Sequence, residues 1–292
     1  MEMWRYASDL KELRQDERLP SHHFPNRKGF YYGVELETNS MGFRDREFFQ
    51  EKPTGTKRIV MLGDSFTLGW GVPFAETYSK RLESLLRWGG KAWEVVNTGV
   101  GIYNSVMEVE LFKLKGLSLN PDLVIMMYFV NDPEPTPKIT GAFTYSIIKH
   151  SYSLAFFFDR YIKLKALMNK SYDWREYYSG LYKDGSPALE ANKRALEELI
   201  RICRKKKIKL LIVNIPELRV LKFYPFPHAT GFIKNIAQDG HVPFHDLTTD
   251  LSGEEPATLW VTPEDPHANS KANNIIAQSL YRRLVSASGL LD

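Results

Sequence analysis

Residues 123–130, Leu-Val-Ile-Met-Met-Tyr-Phe-Val, are apolar without interruption. A strand with one face in water alternates apolar and polar side chains. An unbroken run of strand length instead marks a sheet covered on both faces, the habit of parallel sheets flanked by helices. The run is too short for a bilayer, which takes roughly 20 apolar residues as a helix. Asn120-Pro121-Asp122 stands before it as a turn, because proline cannot continue a helix and Asn and Asp turn readily.

The neighbouring segments fit that frame. Residues 58–62, 93–97 and 209–215 predict further strands, the last stopped by Pro216, and 242–246 a short one. Helical spacing runs through Tyr78, Leu82, Leu85 and Leu86 in residues 75–87, and through Val106, Val109 and Leu114 in 103–117. Residues 187–206 predict an amphipathic helix with Pro187 in its first turn, and 230–237 a shorter one. The closing helix, 269–287, buries Ile276, Leu280 and Leu284, with Ser270 as its N-cap. Alternating strands and helices predict an α/β chain, a three-layer, doubly wound parallel sheet of about five strands.

Two stretches stand outside the alternation. Residues 1–56 lack regular periodicity, contain Pro20, Pro25 and Pro53, and read as an N-terminal arm packed on the core, with a hairpin near 30–39. Within the remaining unit, 57–292, residues 133–186 form an insertion carrying Phe156, Phe157, Phe158, Tyr161, Tyr172, Trp174, Tyr177, Tyr178 and Tyr182. Its spacing suggests two short helices. Following a strand's C-terminal end, it falls beside the ligand crevice, as an accessory cap or as a substrate lid.

Composition narrows the partners. A net charge of +4 over 292 residues is modest, and the basic run at residues 204–209 falls where a helix ends, where its dipole favours cations. No nucleic acid is expected. The single Cys203 excludes an internal disulfide and lies on an apolar helix face, as an inert thiol does. Residues 1–20 are charged throughout, unlike a secretory signal, and no membrane-spanning run is present. The expectation is a soluble chain, cytoplasmic by default or in the cell envelope if an anchor has been removed.

Four segments can carry chemistry. Ser65 follows the strand 58–62 through Gly63 and Asp64, which brings a hydroxyl to the crevice at the strand ends. This is not the nucleophile elbow of α/β-hydrolases, since Thr67 stands where that motif needs glycine. Glu264-Asp265-Pro266-His267 supplies an imidazole beside two carboxylates, and a serine needs such a base, oriented by an acid, to become nucleophilic. The Asn131 amide, just past the apolar strand, can donate to an oxyanion. The glycines of residues 97–104 let backbone N–H groups approach a ligand. His241 and His245 flank a short strand without a third ligand of suitable spacing, so neither a metal nor another cofactor is expected.

Taken in chain order, the segments resemble the SGNH (GDSL-type) hydrolase family. Gly63-Asp64-Ser65 with Phe66-Thr67-Leu68-Gly69 is similar to its first block, Asn131-Asp132 to its third, and Asp265-Pro266-His267 with Asn269 to its last. The resemblance covers about residues 57–287 apart from the insertion, and implies a flavodoxin-like architecture and a serine esterase. It implies Ser65 as nucleophile, His267 as base and Asp265 as acid, with Glu264 in reserve. The oxyanion donors would be the Ser65 N–H, the N–H of Gly101 or Ile102, and Asn131. Phe129 and Ile102 stand where the family carries glycine, which favours a catalytically inactive glycan-binding or scaffold member as one alternative. An O-acyltransferase to a glycan hydroxyl is the other. Asn39-Ser40-Met41-Gly42-Phe43-Arg44, with the aromatic insertion, resembles a bacterial subgroup that accompanies exopolysaccharide and cell-surface glycan genes. That suggests carbohydrate O-acyl groups, acetyl among them, or another small ester as substrate.

Overall fold

The apolar run forms the middle strand of a parallel sheet. The computed structural model describes residues 2–137, 160, 173–286 and 289–291. Its N-terminal part is a helix Glu2–Leu10, then strands β1 (Lys11–Leu13) and β2 (Ser21–His23), which pair with each other, and β3 (Lys28–Tyr31) and β4 (Val34–Glu37), which form a hairpin. The main sheet follows with β5 (Lys57–Leu62), β6 (Trp93–Asn97), β7 (Leu123–Phe129), β8 (Lys209–Ile215) and β9 (Phe244–Asp246). All four pairings are parallel and the spatial order is β6-β5-β7-β8-β9. The chain reverses its winding between β5 and β7. That switch point is where an open α/β sheet offers a crevice at its C-terminal edge.

Alternate residues of each central strand feed two cores. Ile59, Met61, Ile125 and Met127 pack with helices Tyr78–Trp88 and Ser270–Ser286, whereas Val60, Leu62, Val124 and Met126 meet Ser105–Leu114, Pro187–Lys206 and Pro227–Asp239. Every residue of β7 is buried, as the unbroken apolar run requires. The three-layer, five-stranded α/β architecture expected from the sequence is present.

Element ends differ where caps decide them. The helix expected from residue 75 starts at Tyr78, because Thr77 is extended. The one expected from 103 starts at Ser105, because the Asn104 side chain accepts the Met107 N–H at 3.0 Å. Helix Pro227–Asp239 begins before residue 230, with proline in its first turn. The last helix is capped by Asn269 rather than Ser270: its Oδ1 accepts Lys271 N–H at 2.9 Å and Ala272 N–H at 3.1 Å.

The larger difference is N-terminal. Residues 1–56 contain the expected hairpin, at Lys28–Glu37, but also a helix the sequence reading did not anticipate. Its Met3, Tyr6, Ala7 and Leu10 pack with Tyr31, Leu36, Leu68 and Trp70. In the insertion, helix Trp174–Leu181 accounts for one of the two short helices expected. Phe156, Phe157, Phe158, Tyr161 and Tyr172 lie outside the described residues.

Candidate active site

Ser65 sits just beyond β5. The Asp64 carboxylate accepts the Phe66 N–H at 2.8 Å and starts a one-turn helix, Ser65–Leu68, with Ser65 first. Gly63 is required by close approach, since a Cβ there would lie 1.9 Å from Thr67 Oγ1. Arg44 fixes the far end of the turn. Its buried guanidinium donates to the carbonyls of Leu68 at 2.9 Å, Gly69 at 2.6 Å and Val72 at 2.7 Å. The 39–44 run is therefore a clamp on the Ser65 turn, and Asn39 Oδ1 folds it by accepting the Met41 and Phe43 N–H groups.

His267 comes from the other end of the chain. Strands β10 (Trp260–Thr262) and β11 (Asp265–Ala268) form a small antiparallel ribbon. From it His267 Nε2 meets Ser65 Oγ at 2.8 Å. On the other side of the ring Nδ1 bonds to Asp265 Oδ1, which also accepts the His267 backbone N–H at 3.1 Å. Burial works against the Asp265 charge. The His267 side chain and backbone, with the Trp70 indole N–H at 3.1 Å, outweigh it and hold the carboxyl below its ordinary value. Glu264, the reserve acid, is exposed, and Asp265 is the carboxylate that reaches the imidazole.

The loop after β6 lies against this turn. Val100 N–H donates to Gly63 O at 3.2 Å, and Asn97 Nδ2 to Thr67 O at 2.7 Å. A Cβ on Gly99 would stand 2.3 Å from the Leu68 nitrogen, so only glycine lets the loop close so tightly. Of the two candidate backbone donors, Gly101 is already engaged: its N–H donates to the Tyr6 hydroxyl at 2.9 Å. Ile102 adopts a left-handed φ of 66°, and no described residue accepts its N–H, nor that of Ser65. A β-branched residue at positive φ is strained, by about 1–2 kcal/mol. Asn131 follows β7, beside β5, and its side chain bonds to no described residue; its buried Oδ1 has no partner.

Several residues of the site were not legible in the sequence. Trp70 donates its indole N–H to Asp265 Oδ2. Tyr32, at the tip of the β3–β4 hairpin, stands edge-on to Trp70 at 5.6 Å, so the N-terminal part reaches the rim of the site. Phe129, where the resemblance leads one to expect glycine, lies 4.5 Å from Phe66, whose ring is in turn 5.2 Å from His267. Beneath the site three carboxyls are buried. Desolvation raises Asp64 to about 6 and raises Glu108 and Asp132 further, helped by their mutual repulsion. Elsewhere, burial lifts the Cys203 thiol to about 12, and His245 Nε2 bonds to Ser279 Oγ at 2.7 Å.

Comparison with known proteins gives a consistent answer. The model of the GDSL-like lipase/acylhydrolase family matches residues 61–275. A sequence search of curated proteins gives no match. Among solved structures, LAE5, an alpha/beta hydrolase enzyme from the metagenome of Lake Arreo, Spain, superposes with a TM-score of 0.52 at 15% identity, over 81% of this chain and 96% of its own. Axe2, an acetylxylan esterase from Geobacillus stearothermophilus, gives 0.52 at 15%, over 78% and 94%. The acetyl xylan esterase AlAXEase gives 0.50 at 18%, over 78% and 99%. No helix among the described residues is long and apolar enough to cross a membrane.

Proposed function

The chain belongs to the GDSL-like lipase/acylhydrolase family and is an ester hydrolase, and from that premise we propose that it works through an acyl-Ser65 intermediate on O-acetyl groups of a carbohydrate. Ser65 Oγ attacks the ester carbonyl carbon while His267 Nε2 takes its proton. Asp265 holds the ring with Nδ1 protonated and stabilises the imidazolium. The oxyanion accepts hydrogen bonds from the N–H groups of Ser65 and Ile102 and from the Asn131 amide. His267 then protonates the departing sugar oxygen, and a water, deprotonated by the same imidazole, releases acetate from Ser65.

The observation that carries this reading is the 2.8 Å contact between Ser65 Oγ and His267 Nε2, backed by a carboxylate on the far side of the ring. An assembled chain of this kind argues against an inactive scaffold. The substrate class rests on neighbours that are acetylxylan esterases. The test compares wild type with Ser65→Ala on p-nitrophenyl acetate and on acetylated xylo-oligosaccharides, following acetate release and labelling by a fluorophosphonate. The variant should lose at least about 10³-fold in kcat and all labelling. Equal turnover in both proteins overturns the nucleophile; activity confined to the aryl ester overturns the substrate class.

A further inference from the structure

Lys11 is buried at 7% exposure, and no carboxylate among the described residues pairs with it. Its ammonium donates instead to the carbonyl of Gly101, and lies 5.3 Å from the ring centres of both Tyr6 and Tyr103. Burying an unpaired cation is costly, so a lysine kept there against an apolar substitute calls for a reason. The Gly101 carbonyl belongs to the same peptide unit as the Ile102 N–H. Charge drawn onto that oxygen is drawn from the N–H across the conjugated amide, as in any hydrogen-bonded chain.

We propose that Lys11 is a positioning residue for the oxyanion site: seated on the Gly101 carbonyl, it polarises and orients the Gly101–Ile102 peptide so that the Ile102 N–H becomes a stronger donor. The proposal rests on the Ser65 reading above. The neighbouring N–H is held as well. His23 Nδ1 donates to the Gly42 carbonyl at 3.2 Å, which leaves its Nε2 to accept from the Tyr6 hydroxyl at 2.6 Å. That fixes the Tyr6 oxygen as acceptor for the Gly101 N–H. The N-terminal segment thus grips both polar groups of Gly101 and leaves the Ile102 N–H facing away from any described partner.

The titratable groups that face Lys11 are Tyr6 from the first helix, His23 across the β1–β2 pairing and Tyr103 from the loop before Ser105–Leu114. Burial raises both phenols and lowers His23 to about 3, with Lys11 itself adding to the effect on His23. All three stay neutral near pH 7. Lys11, lowered by burial to about 7, changes charge there, so a neutral Lys11 weakens the oxyanion donor as pH rises.

The experiment measures kcat and KM from pH 6 to 10 for wild type, Lys11→Met and Lys11→Arg, with fluorophosphonate labelling of Ser65 throughout. In wild type kcat should fall on the alkaline side. Lys11→Met should lose about 3- to 10-fold in kcat at pH 7, keep KM within about 2-fold, and show no alkaline fall. Lys11→Arg, charged at every pH, should move that fall above pH 9 or abolish it. If Lys11→Met does not fold, the arginine variant and a ¹³C titration of the wild-type lysine methylenes carry the test. An alkaline limb unchanged in the folded variants, or a Lys11 titration that does not coincide with it, overturns the proposal while Ser65 labelling persists. Labelling that survives Ser65→Ala overturns the nucleophile instead, so the two failures are distinct.

Discussion

Trp70→Phe isolates one hydrogen bond in the site. The indole is buried at 1% exposure, stacks on Tyr31 at 5.9 Å and meets Tyr6 edge-on at 5.4 Å, contacts that phenylalanine largely keeps. What it loses is the Nε1–H donated to Asp265 Oδ2 at 3.1 Å. A hydrogen bond to an ionised group contributes about 1.5–3 kcal/mol, and its removal frees the carboxylate to rotate. Asp265 would still hold His267 through Oδ1, so only part of that energy reaches the transition state. We expect kcat to fall about 10-fold, equivalent to about 1.4 kcal/mol, with KM within about 2-fold. Asp265→Asn, which disturbs the tautomer, should cost far more. Steady-state kinetics on p-nitrophenyl acetate, with near-ultraviolet circular dichroism as the check on packing, decides it. A folded Trp70→Phe enzyme with kcat unchanged, or with the loss confined to KM, refutes an orienting role for the indole.

Two further outcomes follow from backbone and charge. Ile102→Gly removes about 1–2 kcal/mol of left-handed strain against a flexibility cost of about 0.5–1 kcal/mol in the unfolded chain, so it should leave the melting temperature unchanged or slightly raised and keep the N–H donor and activity; a loss above about 100-fold in kcat would deny Ile102 a backbone role. Asp64, held at about 6 against an ordinary 3.8, binds its proton more tightly folded than unfolded, so it makes stability fall as pH rises from about 4 through about 6, by about 3 kcal/mol in all. Asp64→Asn keeps the acceptor for the Phe66 N–H and should flatten that decline in urea midpoints taken between pH 4.5 and 8; an identical slope refutes it.

What the sequence disclosed divides along a physical line. The β7 run, the stripe of helix Pro187–Lys206 and the Pro216 stop are local patterns, and each element stands within a residue or two of its expected place. Ser65, Asp265 and His267 were legible because each sits in a short segment with few other uses, although 202 residues separate the serine from the histidine. Gly101 and Ile102 were adjacent candidates that spacing alone left open; tertiary packing separates them, through a tyrosine 95 residues upstream. The helix Glu2–Leu10 did carry a signal, Met3, Tyr6, Ala7 and Leu10 at helical intervals, hidden among charged neighbours.

Lys11 had no such signal. In sequence it is one more charge in a charged stretch, and a charge there is ordinarily solvated. Its meaning comes from a backbone carbonyl 90 residues away, and carbonyls carry no residue type to recognise. The same holds for Arg44, whose acceptors are the carbonyls of Leu68, Gly69, Val72 and, at 3.3 Å, Glu35. Both cations bind the polar backbone of loops that flank Ser65, one at the end of its helical turn and one behind the Gly101–Ile102 peptide. Such loops present unpaired carbonyls by necessity, because the N–H groups must face the substrate. A site built from loop amides therefore needs buried donors behind it. Here the N-terminal segment supplies them through Lys11 and Arg44, so under the proposed mechanism it supports the site as well as covering the core.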